Sequence, residues 1–255
     1  MLEWAMTSHS MAYHELLAAT ARPDEAEAVA CPVCRLARRA LLLWIEDLVY
    51  SFGVDPQVRR EVRLGRGLCN RHAHLLTEIR GMPLGVSLIH LDVIDTVCEE
   101  LARGTAAPQG LAVRGARGLI ERLRRGAAVL RAKEAVRAAV APAQTCLACE
   151  HQREVEELYL QTLLRHLSEA ELAAAFAASP GLCLPHFQQA TDLAPDVPTL
   201  RLLIDMEREC LARLRDELAE FARKNDHRNL GERVGREADA WIRSIDQVTG
   251  LDGVR

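Results

Sequence analysis

Apolar residues recur along this chain at intervals of three and four. Ala37, Leu41, Trp44, Leu48 and Phe52 form one series and Val155, Tyr159, Leu163 and Leu167 a second, while Leu203, Cys210, Leu214 and Phe221 lie along a third stripe at steps of seven and four. At 3.6 residues per turn such spacing gathers each series on one face of an α-helix. No alternating β-branched run is bounded by turn residues, so the predicted class is all-α. Gly53-Val54-Asp55-Pro56 reads as a stop and restart, with Asp55 as cap and Pro56 at the first helical position. Ser168 with Glu171 reads as a capping box at the matching place further on. Breaks follow at Gly65-Arg66-Gly67 and Ser179-Pro180-Gly181. Each leads into a short helix, the first running through Leu75 and Leu76, and then into a long one, about 84–103 and 199–223. Residues 104–110 read as a flexible break, and 115–140 as an Arg- and Ala-rich helix with Gly126 a point of kinking. A polar interruption at 224–229 precedes a last helix at about 237–248.

Composition narrows the function classes. With 255 residues, 49% hydrophobic and 27% charged, the chain has enough apolar matter for a folded core. A net charge of -4 argues against gripping nucleic acid by bulk charge, although 30 of the 32 basic residues are Arg. No apolar run approaches the roughly eighteen residues of a membrane span. The first twenty residues carry acids and histidines where a targeting segment has a basic flank and an apolar stretch, so the expected location is cytoplasmic, without membrane partners.

Candidate chemistry comes from eight cysteines: Cys31, Cys34, Cys69, Cys98, Cys146, Cys149, Cys183 and Cys210. In a reducing compartment close Cys pairs serve as metal ligands or redox pairs more often than as disulfides. Cys31-Pro32-Val33-Cys34 is followed 35 positions later by Cys69-Asn70-Arg71-His72. Cys146-Leu147-Ala148-Cys149 is followed 34 positions later by Cys183-Leu184-Pro185-His186. The offset is 115 between the CxxC pairs and 114 between the CxxH pairs, so one deletion aligns the two stretches. Gly67-Leu68-Cys69 then matches Gly181-Leu182-Cys183, and Trp44, Val58 and Val62 fall opposite Tyr159, Leu172 and Phe176. This reads as a duplicated multi-helix unit. The expected organisation is an N-terminal repeat over 1–104, a connecting helix over 105–140, a second repeat over 141–223 and a helical tail over 224–255.

Three thiolates and one imidazole suit tetrahedral Zn²⁺, and a closed four-ligand site leaves no position for a reacting water. The expected sites are Cys31, Cys34, Cys69 and His72 in the first repeat, and Cys146, Cys149, Cys183 and His186 in the second. Each would clasp the start of a first helix to the start of a third. Two zinc ions per chain are expected, with iron or an iron–sulfur centre as the alternative cofactor.

Rival readings attach to the same residues and a few others. Cys31-Pro32-Val33-Cys34 at a helix N-terminus looks locally like the CPxC of glutaredoxins, where thiol exchange occurs. Those proteins place the motif after a strand, and without a distant CxxH. Cys98 and Cys210 lie in apolar helical stripes and read as inert core thiols. His74, His90 and His151 have no counterpart in the other repeat. The run Arg114, Arg117, Arg122, Arg124, Arg125, Arg131, Lys133 and Arg137 reads as a solvated face, with phosphate binding as its rival. Asp226, His227, Arg228, Glu237, Asp239 and Trp241 form the densest unrepeated polar group, where capping competes with a functional pocket.

CPVC with GLCNRH, CLAC with GLCLPHF, the Pro83-Leu84-Gly85 step and the closing EFARKND…GREADAW stretch resemble an uncharacterised bacterial family, domain of unknown function 6062. The likeness runs from about Tyr13 to Gly250. It implies a cytoplasmic, mostly helical bacterial protein with two metal-ligand-like sets at the eight Cys and His positions above. Leu147 stands where the first copy has proline, which leaves the ligand set intact and weakens redox tuning there. The residues together predict a non-enzymatic zinc-binding scaffold, with no catalytic residues, that works through a protein partner. A thiol redox sensor or reductase is the alternative, and a nucleic-acid-binding regulator a second.

Overall fold

The computed structural model describes residues 2–20, 30–105, 119–229, 232–233 and 235–254, leaving aside the side chains of 2–10, 104–105 and 119–125. Among the described residues the chain is all-helical and has no strand. The helices are α1 (Leu2–Thr20), α2 (Pro32–Val54), α3 (Pro56–Leu64), α4 (Asn70–Leu75), α5 (Pro83–Thr105) and α6 (Leu119–Val140), followed by α7 (Leu147–His166), α8 (Ala170–Ala178), α9 (Leu184–Leu193), α10 (Val197–Lys224) and α11 (Ala240–Thr249). A 3-10 turn, Arg236–Asp239, leads into α11. Two compact units divide the chain: residues 1–42 with 151–255, and residues 43–150.

In the discontinuous unit, α7 sets the core. Leu160, Leu163 and Leu167 recur at three and four residues and are fully buried, as are Leu172 and Phe176 of α8 and Leu203 of α10. Helix α1 joins this core through Ala12 and Leu16, packing on α8, and Glu15 accepts a 2.6 Å bond from the Tyr159 hydroxyl. Burying a leucine such as Leu16 completely contributes about 1.5–3 kcal/mol. Helix α10 is capped by Asp196, whose carboxylate accepts from the Thr199 amide at 2.8 Å. Helix α8 departs from expectation: it begins at Ala170, so Ser168 lies one residue before the Glu169 cap position and the capping box does not form. Glu169 instead meets His166 Nδ1 at 2.6 Å.

In the continuous unit, α3 starts as predicted, with Asp55 accepting from the Gln57 amide at 2.8 Å and Pro56 in the first turn. Arg59 reaches back to the carbonyls of Phe52 and Gly53 at 2.8 and 2.7 Å, closing the corner between α2 and α3. Arg66, at φ 54°, and Gly67, at φ 85°, turn the chain into Cys69 through left-handed backbone. Helices α5 and α6 pack along each other, and α3 packs on α5, where Arg63 pairs with Asp92 at 2.6 Å and Arg66 with Glu100. Cys98 is exposed and is not a core thiol. Helix α5 buries Ile89 and Val93 yet exposes Leu84, Leu88, Leu91 and Ile94, so its apolar residues do not mark one inward face. Cys210 is buried, as expected.

The predicted break at 104–110 and Arg114 and Arg117 lie largely outside the described residues, as do the side chains of Arg122, Arg124 and Arg125. Of the arginine face, Arg131, Lys133 and Arg137 are exposed beside Glu134.

Candidate metal centres

All four half-motifs sit at helix N-termini. Cys69 and Cys183 occupy the cap positions of α4 and α9 in extended backbone, at ψ 166° and 155°. Their histidines follow in the first turn, and this geometry sets Sγ and Nδ1 3.4 Å apart in Cys69–His72 and 3.2 Å apart in Cys183–His186. Each CxxC places one cysteine just before a helix, Cys31 ahead of α2 and Cys146 ahead of α7, and the other in its first turn. The positive end of the helix dipole favours thiolates at each place.

The donors converge into two groups, and each crosses the sequence repeat. Cys31 and Cys34 meet Cys183 and His186, and Cys146 and Cys149 meet Cys69 and His72; within each group the ligand atoms all lie within 4.8 Å of one another. The expectation that each CxxC closes on the CxxH next along the chain is therefore corrected. Its physical cause is helix length. Helix α2 has 23 residues and spans about 34 Å, whereas the nine residues of α3 return only about 13 Å before the tight turn at Gly65–Gly67. The chain cannot come back to Cys31 in that distance. In the continuous unit, α5 and α6 have 23 and 22 residues and pack along each other, so the chain does return. The Ala143 amide then donates to the Leu64 carbonyl at 2.7 Å and Gln144 Nε2 to the Glu61 carbonyl at 2.8 Å, delivering Cys146 beside Cys69.

The first cluster is buried: Cys31 is 1% exposed, and Cys34, Cys183 and His186 are 0% exposed. Cys34 Sγ lies 3.6 Å from Cys183 Sγ and 3.3 Å from His186 Nδ1, and Cys31 Sγ lies 3.6 Å from the same nitrogen. Behind the imidazole, Nε2 lies 3.3 Å from Glu156 Oε1, and Gln152 Nε2 donates to that same oxygen at 2.5 Å. The contact is a charge approach without a formed hydrogen bond, since His186 Nε2 has no hydrogen-bond partner among the described residues, and it leaves Nδ1 for the centre. Burial opposes charging of His186, but Cys31 and Glu156 outweigh it and carry the ring up to about 9. The Cys183 loop is held from outside by a second buried pair. Glu207 Oε2 accepts from the Leu182 amide at 2.9 Å, while Gln247 Nε2 donates to the Leu182 carbonyl. The Leu251 amide donates to Cys34 Sγ at 3.5 Å.

The second cluster has the same edges and a wetter setting. Cys69 Sγ lies 3.7 Å from Cys149 Sγ, and His72 Nδ1 lies 3.4 Å from Cys149 Sγ and 3.7 Å from Cys146 Sγ. Cys69 and Cys149 are half-buried, whereas His72 is fully buried. The Cys69 amide donates to Cys146 Sγ at 3.3 Å. In both clusters, crowded thiols resist ionisation. Neighbouring Cys183 and Cys31, together with burial, push Cys34 far up. Burial, then Cys146 and Cys69, take Cys149 to about 12. A cation at the centre reverses that balance, because coordination holds thiols deprotonated. Each group can therefore hold a metal ion.

No other expected candidate joins a cluster. His74 and His90 are exposed and His151 is half-buried, its imidazole pulled down by burial against the opposing charge of Glu154. The polar group near the C-terminus does not gather into one site. Asp226 accepts from the Arg228 amide at 2.9 Å in an exposed turn, and Glu237 is buried against Lys224 Nζ at 2.7 Å. Trp241 is half exposed. Glu156, Gln152, Glu207 and Gln247 escaped the sequence reading. The available signal was a polar residue inside a buried stripe: Glu207 lies between Leu203 and Cys210 at helical spacing.

The fold and its sites define a helical protein with two Cys3His clusters. Residues 24–253 match the family of unknown function DUF6062, and the chain belongs to that family. No curated protein and no solved structure matches it.

Proposed function

We propose that this chain is a non-catalytic helical scaffold whose two Cys3His clusters each hold a structural zinc ion, working by presenting its surface to a partner protein. One observation carries the reading: the donor spacing. Four ligands on arms of roughly 2.0–2.3 Å around one zinc form a tetrahedron with edges of about 3.3–3.8 Å. Four edges in each cluster run from 3.2 to 3.7 Å, and all donors of a cluster lie within 4.8 Å of one another. Donors so close surround one ion and leave no room for the several metals of an iron–sulfur cluster, so single iron is the remaining alternative. Four protein ligands also occupy every tetrahedral position, which suits a structural role over hydrolysis. The duplicated helical units, the cytoplasmic setting and the bacterial origin belong to the same reading.

A partner role is supported by α11, which is inverted. It turns Ala240 and Gln247 inward and leaves Trp241, Ile242, Ile245 and Val248 exposed. Metal analysis of protein purified without added zinc tests the proposal: about two zinc per chain is expected, and metal-free folded protein refutes it. The half-buried thiols of Cys69 and Cys149 favour one second reading, a thiol sensor that loses its ion on oxidation. Peroxide that leaves both ions bound and every cysteine unoxidised removes it.

A further inference from the structure

A cleft of about 460 Å³ opens in the discontinuous unit where the end of α8, the middle of α10, the 3-10 turn and α11 meet. Its volume falls within the range of small-molecule sites. Ala177, Pro180 and Leu214 give it an apolar wall, and the thiol of Cys210 lies along it. Its charges are unusual for a chain of net charge -4, because three guanidinium groups face two carboxylates.

The three arginines differ in how they are answered. Arg243 is braced: Nη2 lies 2.5 Å from Glu217, Nε donates to Asp239 at 2.9 Å, and Nη2 also reaches the Arg236 carbonyl. That arrangement uses both acids. Among the described residues Arg213 donates to neutral acceptors, the Ser179 carbonyl at 2.7 Å and Cys210 Sγ at 3.2 Å. Glu207, buried on the same helix, has Oε2 taken by the Leu182 amide at 2.9 Å and Oε1 by Gln247 Nε2 at 3.3 Å, and among the described residues it forms no ion pair with Arg213. The Arg236 side chain is exposed and makes no ion pair among the described residues. Two planar donor forks thus remain uncompensated beside an apolar wall, with one net positive charge. That matches an oxyanion head of single charge on a short apolar body.

We propose that this cleft is a binding site for a small organic carboxylate, with Arg213 and Arg236 taking the carboxylate and the Ala177–Pro180–Leu214 wall taking the body. The proposal goes beyond the scaffold reading and does not depend on which metal the clusters hold. Gln247 lines the cleft and also donates to the Leu182 carbonyl, so an occupant would lie one residue's reach from the peptide that positions Cys183.

Calorimetric titration of the full chain, as purified, with benzoate and with its uncharged isostere benzamide tests this. The expected result is saturable binding of one benzoate per chain, at least about tenfold tighter than benzamide and weakened by salt. Arg236→Gln should weaken benzoate about tenfold while leaving the circular dichroism spectrum and metal content unchanged, since that side chain supports no described contact. Equal affinity for the two probes, an unaffected Arg236→Gln variant, or no saturable benzoate binding up to about 10 mM would each overturn the proposal.

Discussion

Paired ligand substitutions distinguish the crossed arrangement from one in which each repeat closes on itself. Cys31→Ser with Cys183→Ser removes two donors from one cluster and leaves the Cys69, His72, Cys146 and Cys149 set whole. Cys31→Ser with Cys69→Ser removes one donor from each. The first double variant should therefore retain about one zinc per chain and the second close to none, whereas self-contained repeats require the reverse. The energetic contrast is large. A structural zinc contributes roughly 10–16 kcal/mol in small modules, comparable with the whole stability of a domain, so each lost ion should unfold the unit that held it. Native mass spectrometry gives the stoichiometry, and hydrogen exchange shows which residues lose protection: 1–42 with 151–255 in the first variant, both units in the second. Cys98→Ser serves as control, since an exposed thiol should leave both ions bound. One zinc in the Cys31/Cys69 variant and none in the Cys31/Cys183 variant would refute the crossing.

Three further outcomes are expected. Under a chelator or mild peroxide, the ion held by half-buried Cys69 and Cys149 should leave before the ion held by donors at 0–1% exposure; simultaneous release would count against exposure as the controlling factor. Gly67 and Gly181 both have φ near +85°, so alanine should cost about 1–2 kcal/mol at either. At Gly181 the new Cβ also meets Cys210 Cβ and the Glu207 carboxyl group at 2.8 Å, adding about 1–3 kcal/mol, while at Gly67 it meets no described residue within 4 Å. Equal melting temperatures for the two variants would contradict that difference. Burial raises the Glu207 carboxyl from its ordinary 4.5 to about 8, against the bond from the Leu182 amide. The folded chain thus keeps a proton that the unfolded chain releases. The contribution is complete below about pH 4.5 and lost as pH rises through 8, so Glu207→Gln should flatten that fall in Tm; an unchanged slope would place it elsewhere.

Much of this architecture was readable because it depends on local rules. Asp55-Pro56 and the Gly67 and Gly181 turns are fixed by backbone stereochemistry within four residues, and the stripes of α2 and α7 by helical period. The donor residues were readable for the same reason, since CxxC and CxxH each act within one helical turn. Two kinds of information were not local. Helix α1 mixes Ser, His and Glu with its apolar residues, and only the packing of Ala12 and Leu16 against α8 selects its buried face. Glu156 and Glu207 look like surface acids on amphipathic helices until His186 and the Leu182 amide are placed beside them.

Pairing of the half-motifs failed for a quantitative reason that proximity in sequence conceals. Joining Cys34 to Cys183 closes a loop of 149 residues, against 35 for Cys34 to Cys69. Loop entropy grows only with the logarithm of length, so the longer closure costs about 1.3 kcal/mol more. That penalty is small beside the roughly 10–16 kcal/mol an ion supplies, and smaller than bending or breaking a 23-residue helix to bring its ends together. Nearness along the chain therefore discriminates weakly between partners, and rigid helix length discriminates strongly. The consequence falls on the discontinuous unit: its two segments flank residues 43–150, and the first cluster joins the short segment to the long one. An ion there would fasten the place where that unit is interrupted, which is where a fold assembled from two separated segments has most to gain from an added tie.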